Sequence, residues 1–215
     1  WAAVIEGITQ KIPVIVATRT GSGSTAQRMR GAIITLGSGG NDATVQIVDL
    51  RPLFDLLAPF VSEINLEGAF VRGDCLVLLN RGNMAAPETC IFKATLSSIL
   101  NGEVTNVTLV KTLRLPSIAG VPLSVTDAVL LENGAIILSA VAEATSNSYA
   151  DGALCGAAIV QLDSGYNLLR LEPVEPAVKL EGIEARQNAE GIEIFCVSDA
   201  DDPEKPSALY RAVLP

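Results

Sequence analysis

The sequence predicts an all-β, β-propeller-like chain with about four blade repeats of 54–60 residues. Three observations predict it. Short runs rich in Val, Ile, Leu and Ala recur along the 215 residues, cut by Gly, Asn, Asp and Pro. No long stretch holds a helical period. One pattern also returns, running acid, small residue, strand, polar turn, strand, polar end. It is read in LEGAFVRGDCLVLLNRGN from Leu66, TDAVLLENGAIILSAVAEAT from Thr126 and LEGIEARQNAEGIEIFCVSDAD from Leu180. The opening acids Glu67, Asp127 and Glu181 stand 60 and 54 residues apart. A two-sheet β-sandwich is the alternative architecture.

Taken in order, strands are expected at 2–8, 13–18, 29–36 and 44–50, then at 68–71, 75–79, 89–94 and 105–113. They continue at 127–131, 135–141, 155–162 and 166–171, and end at 182–186, 192–197 and 208–213. Between the first two groups, PLFDLLAPFVSEI (52–64) carries apolar residues at roughly helical spacing. It is read as a short helix or a loop with one helical turn. The blades of this single domain are then 1–51, 65–114, 125–172 and 180–215, the last short of a strand. The stretch from Ala2 has the repeat's form, with Ala2 where the acid would be. Since the chain starts at Trp1 inside a blade, an N-terminal part of the propeller is expected to be missing.

Composition removes several function classes. With 49% hydrophobic and 18% charged residues, disorder is excluded. Net charge is −9, no Lys/Arg cluster stands out, and nucleic acid is not an expected partner. No apolar run reaches the 18 or so residues of a membrane span, so a soluble protein is expected, with the cytoplasm favoured. Oligomeric state is left open. Histidine is absent, which excludes Ser-His-Asp and Cys-His centres, HExxH zinc sites and mixed Cys/His zinc sites. Acid–base chemistry would fall to Asp, Glu, Lys or Tyr, and any metal would be a hard cation such as calcium or magnesium. No haem, flavin or nucleotide site is indicated. Cys75, Cys90, Cys155 and Cys196 lack CxxC spacing and are expected as buried free thiols, a disulfide being the alternative.

The repeat makes candidate residues equivalent. In a propeller the innermost strand of each blade lines the channel, so matching positions form a ring. Glu67, Asp127 and Glu181 are expected near one channel mouth, joined by the second-strand ends Arg19, Arg81, Glu143 and Asp199. In LNRGN, Arg81 beside Asn83 is either a fork for a carboxylate or phosphate, or half of an ion pair to a neighbouring blade. AEATSNSYADG (142–152) is longer than a hairpin needs and offers Glu143, Tyr149 and Asp151. TRTGSGSTAQRMRG from Thr18 lacks the Gly-Lys-Ser/Thr of a P-loop and reads as an anion-holding nest or a plain loop. DADDPEKP fails the EF-hand pattern, leaving Asp199 as one blade's share of a joint acidic site.

Seven motifs in order carry a resemblance: GSGST…R (21–28), INLEGA from Ile64, RGN from Arg81, VTDA from Val125, AEATSNSYADG from Ala142, LEGI from Leu180 and SDADDP from Ser198. Together the chain resembles an uncharacterised bacterial family of β-propeller-like proteins, distantly similar to phytase-like esterase and regucalcin/gluconolactonase-type propellers. The resemblance implies a fold more firmly than an activity. The expected function is a divalent-cation-dependent hydrolase of ester, lactone or phosphoester bonds, or a small-molecule-binding protein. In that scheme Glu143 and Glu67 would be catalytic. Arg81, Asn83, Arg19, Tyr149 and Asp151 would hold substrate, and Glu67, Asp127, Glu181 and Asp199 would bind calcium or magnesium. The alternative is a non-catalytic structural or protein-interaction propeller whose acids and arginines pair between blades.

Overall fold

The computed structural model describes residues 2–4, 13–17, 29–36, 43–146, 152–199, 202 and 204–215. Four antiparallel sheets follow one another along the chain. The first is β1 (Ala2–Val4), β2 (Pro13–Ala17), β3 (Arg30–Leu36) and β4 (Ala43–Asp49). The second is β5 (Leu66–Arg72), β6 (Cys75–Asn80), β7 (Thr89–Thr95) and β8 (Thr108–Leu113). The third has five strands: β9 (Ser117–Ile118), β10 (Val121–Leu130), β11 (Ile136–Ala144), β12 (Ala153–Leu162) and β13 (Leu168–Pro173). The fourth has three: β14 (Leu180–Asn188), β15 (Gly191–Ser198) and β16 (Leu209–Leu214). Two short helices, α1 (Arg51–Leu57) and α2 (Leu96–Leu100), follow β4 and β7.

The sheets stack face to face because both faces of the middle ones are apolar. Ile33 and Val48 of the first sheet meet Leu76, Leu78 and Phe92 of the second, together with Leu53 and Leu57 of α1. Val77, Leu79 and Ile91 on the opposite face of the second sheet meet Leu123, Leu138 and Val160 of the third. Ile137, Val141 and Ile159 then meet Ile183, Ile194 and Cys196 of the fourth. Strands buried on both faces read as continuous apolar runs, which is the look of CLVLL and IILSAVA. Each fully buried Leu, Ile or Val contributes roughly 1.5–3 kcal/mol. The inner strands also touch one another: β10 packs against β5 and β14, and β5 against β1. Successive meanders placed inner strand beside inner strand are the arrangement of a propeller.

Close approach of the inner strands depends on glycine. A Cβ at Gly68 of β5 would lie 3.1 Å from the Ala128 nitrogen and 3.2 Å from the Asp127 carbonyl carbon, both backbone atoms of β10. Gly73, at φ +61°, turns the two-residue connection between β5 and β6.

Several expectations need correction. Strand 166–171 starts later, at Leu168, because Asp163 Oδ1 accepts the Gly165 and Asn167 N–H groups and holds a turn. Tyr166 sits in that turn at φ +64°, and its buried ring lies 5.1 Å beneath the Arg72 guanidinium. The helical segment ends at Leu57 rather than reaching 64. The strand foreseen from 105 begins at Thr108, after α2. Only Cys196 of the four free cysteines is buried; Cys75, Cys90 and Cys155 are half-buried.

Candidate functional site

In an antiparallel meander the start of the first strand lies beside the end of the second. Glu67, at the start of β5, and Arg81, just after β6, therefore share one end of the second sheet. Each inner strand carries a β-bulge at that end, and the bulges fix the true equivalences between sheets. Pairing jumps between Leu66 and Gly68, between Val125 and Asp127, and between Leu180 and Gly182. The bulged residues are thus Glu67, Thr126 and Glu181.

Asp127 is not the counterpart of the two glutamates. It stands one residue on, where Gly68 and Gly182 stand in the neighbouring sheets. Thr126 fills the bulge instead and donates its hydroxyl hydrogen to Ser139 Oγ at 2.8 Å, both residues being buried. A second correction follows at the strand ends. The Arg81 N–H donates to Asn65 O at 2.8 Å, and the Asp199 N–H donates to Lys179 O at 3.0 Å. Asn65 matches Lys179, and Arg81 matches Asp199. In the third sheet the partner of Ser124 is Val141, so Glu143 lies two residues beyond the matching position. It reaches the same end because β11 runs longer.

The charges meet across three sheets. Arg81 Nη2 donates to Glu143 Oε2 at 2.6 Å, and its Nη1 lies 3.8 Å from Glu67 Oε1. Glu143 Oε1 accepts the Gly152 N–H at 3.1 Å and faces Lys179 Nζ at 3.7 Å. Lys179 Nζ also lies 3.9 Å from Glu181 Oε1. Signs therefore alternate along Glu67, Arg81, Glu143, Lys179 and Glu181. The Arg81 and Glu143 side chains are only 11% and 6% exposed, so the pair is strongly shielded from solvent. Burial pushes the Glu67 carboxyl above the ordinary glutamate range, with Arg81 pulling it back.

Asp127 has a separate task. Its Oδ2 accepts the Ile183 N–H of the fourth sheet at 3.0 Å, and its Oδ1 accepts the Ala128 N–H at 2.8 Å. Burial raises its pKa to about 6, against those two backbone donors. The side chain fits because Gly182 opposite has no Cβ, which would stand 3.9 Å from Oδ2. Asp127 thus bridges the seam between β10 and β14.

The remaining candidates divide. Asn83 folds its own loop: Oδ1 accepts the Ala85 and Ala86 N–H groups at 2.9 and 3.0 Å, and Nδ2 donates to Glu63 Oε2 at 3.1 Å. Asp199 is exposed. Arg19, Tyr149 and Asp151 lie outside the described residues. Arg81 and Asn83 also line a cleft of about 130 Å³ with Phe60, Glu63, Glu88 and Cys90.

Two contributors were missed by sequence reasoning. Lys179 precedes the LEG motif at the place Asn65 occupies, which is the signal that could have found it. Asn80 is buried, accepting the Asn65 N–H at 2.7 Å and donating to Glu63 O at 3.1 Å.

The set does not fit a divalent cation. Among the described residues no three His, Cys, Asp or Glu side chains converge as metal ligands. A guanidinium separates Glu67 from Glu143, and an ammonium lies between Glu143 and Glu181.

The profile of a family of unknown function (DUF6910) matches residues 10–203. No curated protein matches the chain. Among solved structures the chain is similar to native Bacillus subtilis arabinanase Arb43A at 10% identity and a TM-score of 0.37, covering 100% of this chain and 93% of that one. It is also similar to Kuenenia stuttgartiensis hydrazine synthase at 8% identity and a TM-score of 0.39, covering 95% of this chain and 63% of that one.

Proposed function

The chain belongs to this family of unknown function, DUF6910, and we propose that it is a non-catalytic propeller scaffold whose shielded charges tie neighbouring sheets together. One observation carries the reading: Arg81 and Glu143 close a 2.6 Å ion pair between the second and third sheets. The pair excludes other roles for its members in this state. Glu143 already receives Arg81 and the Gly152 N–H and faces Lys179, so it has little capacity left to act as a base. Arg81 would have to give up Glu143 before gripping an anionic substrate. A scaffold of this kind works through its surfaces, presenting rigid sheet faces and loops to another molecule.

A second reading is favoured by Glu67. A carboxyl raised by burial beside a guanidinium is a proton donor of the kind a hydrolase of esters, lactones or phosphoesters needs. Glu67→Gln separates the two. The protein and this variant are assayed on p-nitrophenyl acetate, a γ-lactone and p-nitrophenyl phosphate, with and without millimolar calcium or magnesium. Turnover that Glu67→Gln abolishes would establish the hydrolase. A cation-dependent rise in Tm would support a metal role. The scaffold reading expects neither.

A further inference from the structure

We propose that the outer edge of β16 accepts an extended strand from a partner protein, with alternating apolar residues and a carboxylate opposite Arg211. The proposal stands on the fourth sheet alone and goes beyond the charged network.

Strand order in the fourth sheet is β14-β15-β16, and among the described residues nothing pairs with the outer edge of β16. An edge strand offers a row of free N–H and C=O groups, which proteins usually guard with charge, proline or bulges. The outer strand of the third sheet is guarded in that way by Arg170, Glu172 and Pro173. β16 reads LYRAVL and has no such guard. Leu209, Tyr210 and Val213 are 70%, 41% and 36% exposed. Its one charged side chain, Arg211, is drawn back onto Glu193, with Nε donating to Oε1 at 2.6 Å.

Cross-strand rows show how the sheet continues. In the second sheet one row runs Gly68, Leu79, Ile91, Lys111, and the corresponding row of the fourth runs Gly182, Val197, Leu209. The next row runs Phe70, Val77, Lys93 and Glu184, Phe195, Arg211. Thus Leu209 and Arg211 occupy the third-strand positions of Ile91 and Lys93, which have β8 as their outer neighbour. The ladder on which β8 sits in the second sheet is continued by β16.

Charge then selects the incoming strand. Arg186 and Arg211 both donate to Glu193, so two guanidiniums share one carboxylate. Both arginine side chains remain exposed, at 70% and 59%. Glu184 shares Arg211's row two strands away, roughly 10 Å off. A carboxylate on the new strand, directly opposite Arg211, is the nearer partner.

Synthetic peptides modelling β8 provide the probe. In the second sheet Thr108 pairs with Lys93, so the capped peptide ELVKTL, with Thr108→Glu, places its acid opposite Arg211. Binding is followed by chemical-shift perturbation at about 1 mM peptide, a concentration suited to weak strand addition. ELVKTL should shift the β16 amides and bind about fivefold tighter than KLVKTL. Arg211→Glu should reverse that preference. Methylating alternate backbone nitrogens of ELVKTL should abolish binding, a control that leaves the protein unaltered. Three results would overturn the proposal: no binding of ELVKTL, equal binding of the methylated peptide, or light scattering showing a second copy of the chain seated on β16.

Discussion

Arg81 and Glu143 lie 62 residues apart on different sheets, yet their side chains meet at 2.6 Å. Neither sheet places the contact alone. It requires Arg81 to leave the end of β6 beside Asn65, and β11 to run two residues past the matching point of the second sheet. Such an ion pair is sensitive to the loss of one partner, because the other charge is left shielded and uncompensated. Conformational specificity, here the register of one sheet against the next, is what the pair supplies.

Asp127 makes stability depend on pH with an unusual sign for a carboxylate. Its folded pKa of about 6 lies above the unfolded 3.8, so the native state binds the proton more tightly. The resulting stabilisation is present below about pH 4 and lost as pH rises through about 6. It amounts to about 2–3 kcal/mol. Glu67 acts in the same direction, while Glu193, held low chiefly by Arg211 and Arg186, acts oppositely. The informative quantity is therefore the difference between the protein and Asp127→Asn. In urea titrations from pH 4 to 8, the variant should gain relative stability as pH rises.

Gly68 sets the distance between β5 and β10. The contacts a Cβ would make are with backbone, which cannot rotate aside. Gly68→Val should destabilise by about 2–3 kcal/mol. Gly73→Ala, with no atom within 4 Å of its Cβ and only its φ of +61° to strain it, should cost about 1 kcal/mol. Urea midpoints of the two variants check the order.

Cys196 should be the last thiol to react. It lies buried between the third and fourth sheets, and burial, with the nearby Asp127 charge, pushes its thiol up to about 11. Iodoacetamide at pH 8, read by mass spectrometry, should label the half-buried Cys75 and Cys155 first. Labelling of Cys196 should wait for unfolding.

Much of the fold was legible because a strand buried on one or both faces advertises itself in short apolar runs. CLVLL, TCIFKA and IEIFCV became β6, β7 and β15. Helix α2 was not legible, since LSSIL is too short to show a period. Alignment of the repeats failed by one residue at Asp127 and two at Glu143. A β-bulge inserts a residue without changing composition, so LEG and VTDA align by acid in the sequence and by bulge in the structure. The clustering of Glu67, Arg81, Glu143 and Glu181 followed from antiparallel geometry, because strand starts and strand ends share an edge. The pairing of their signs depended on Lys179, whose distance from Glu143 no spacing rule supplies.

A double-mutant cycle on Arg81 and Glu143 tests the central claim most directly. Arg81→Met and Glu143→Gln are each expected to destabilise by about 3–5 kcal/mol, because each leaves a shielded charge without its partner. The double variant should lose far less than the sum, with a coupling of about 2 kcal/mol or more in urea denaturation. Additive losses, or single variants within about 0.5 kcal/mol of the parent, would contradict the account.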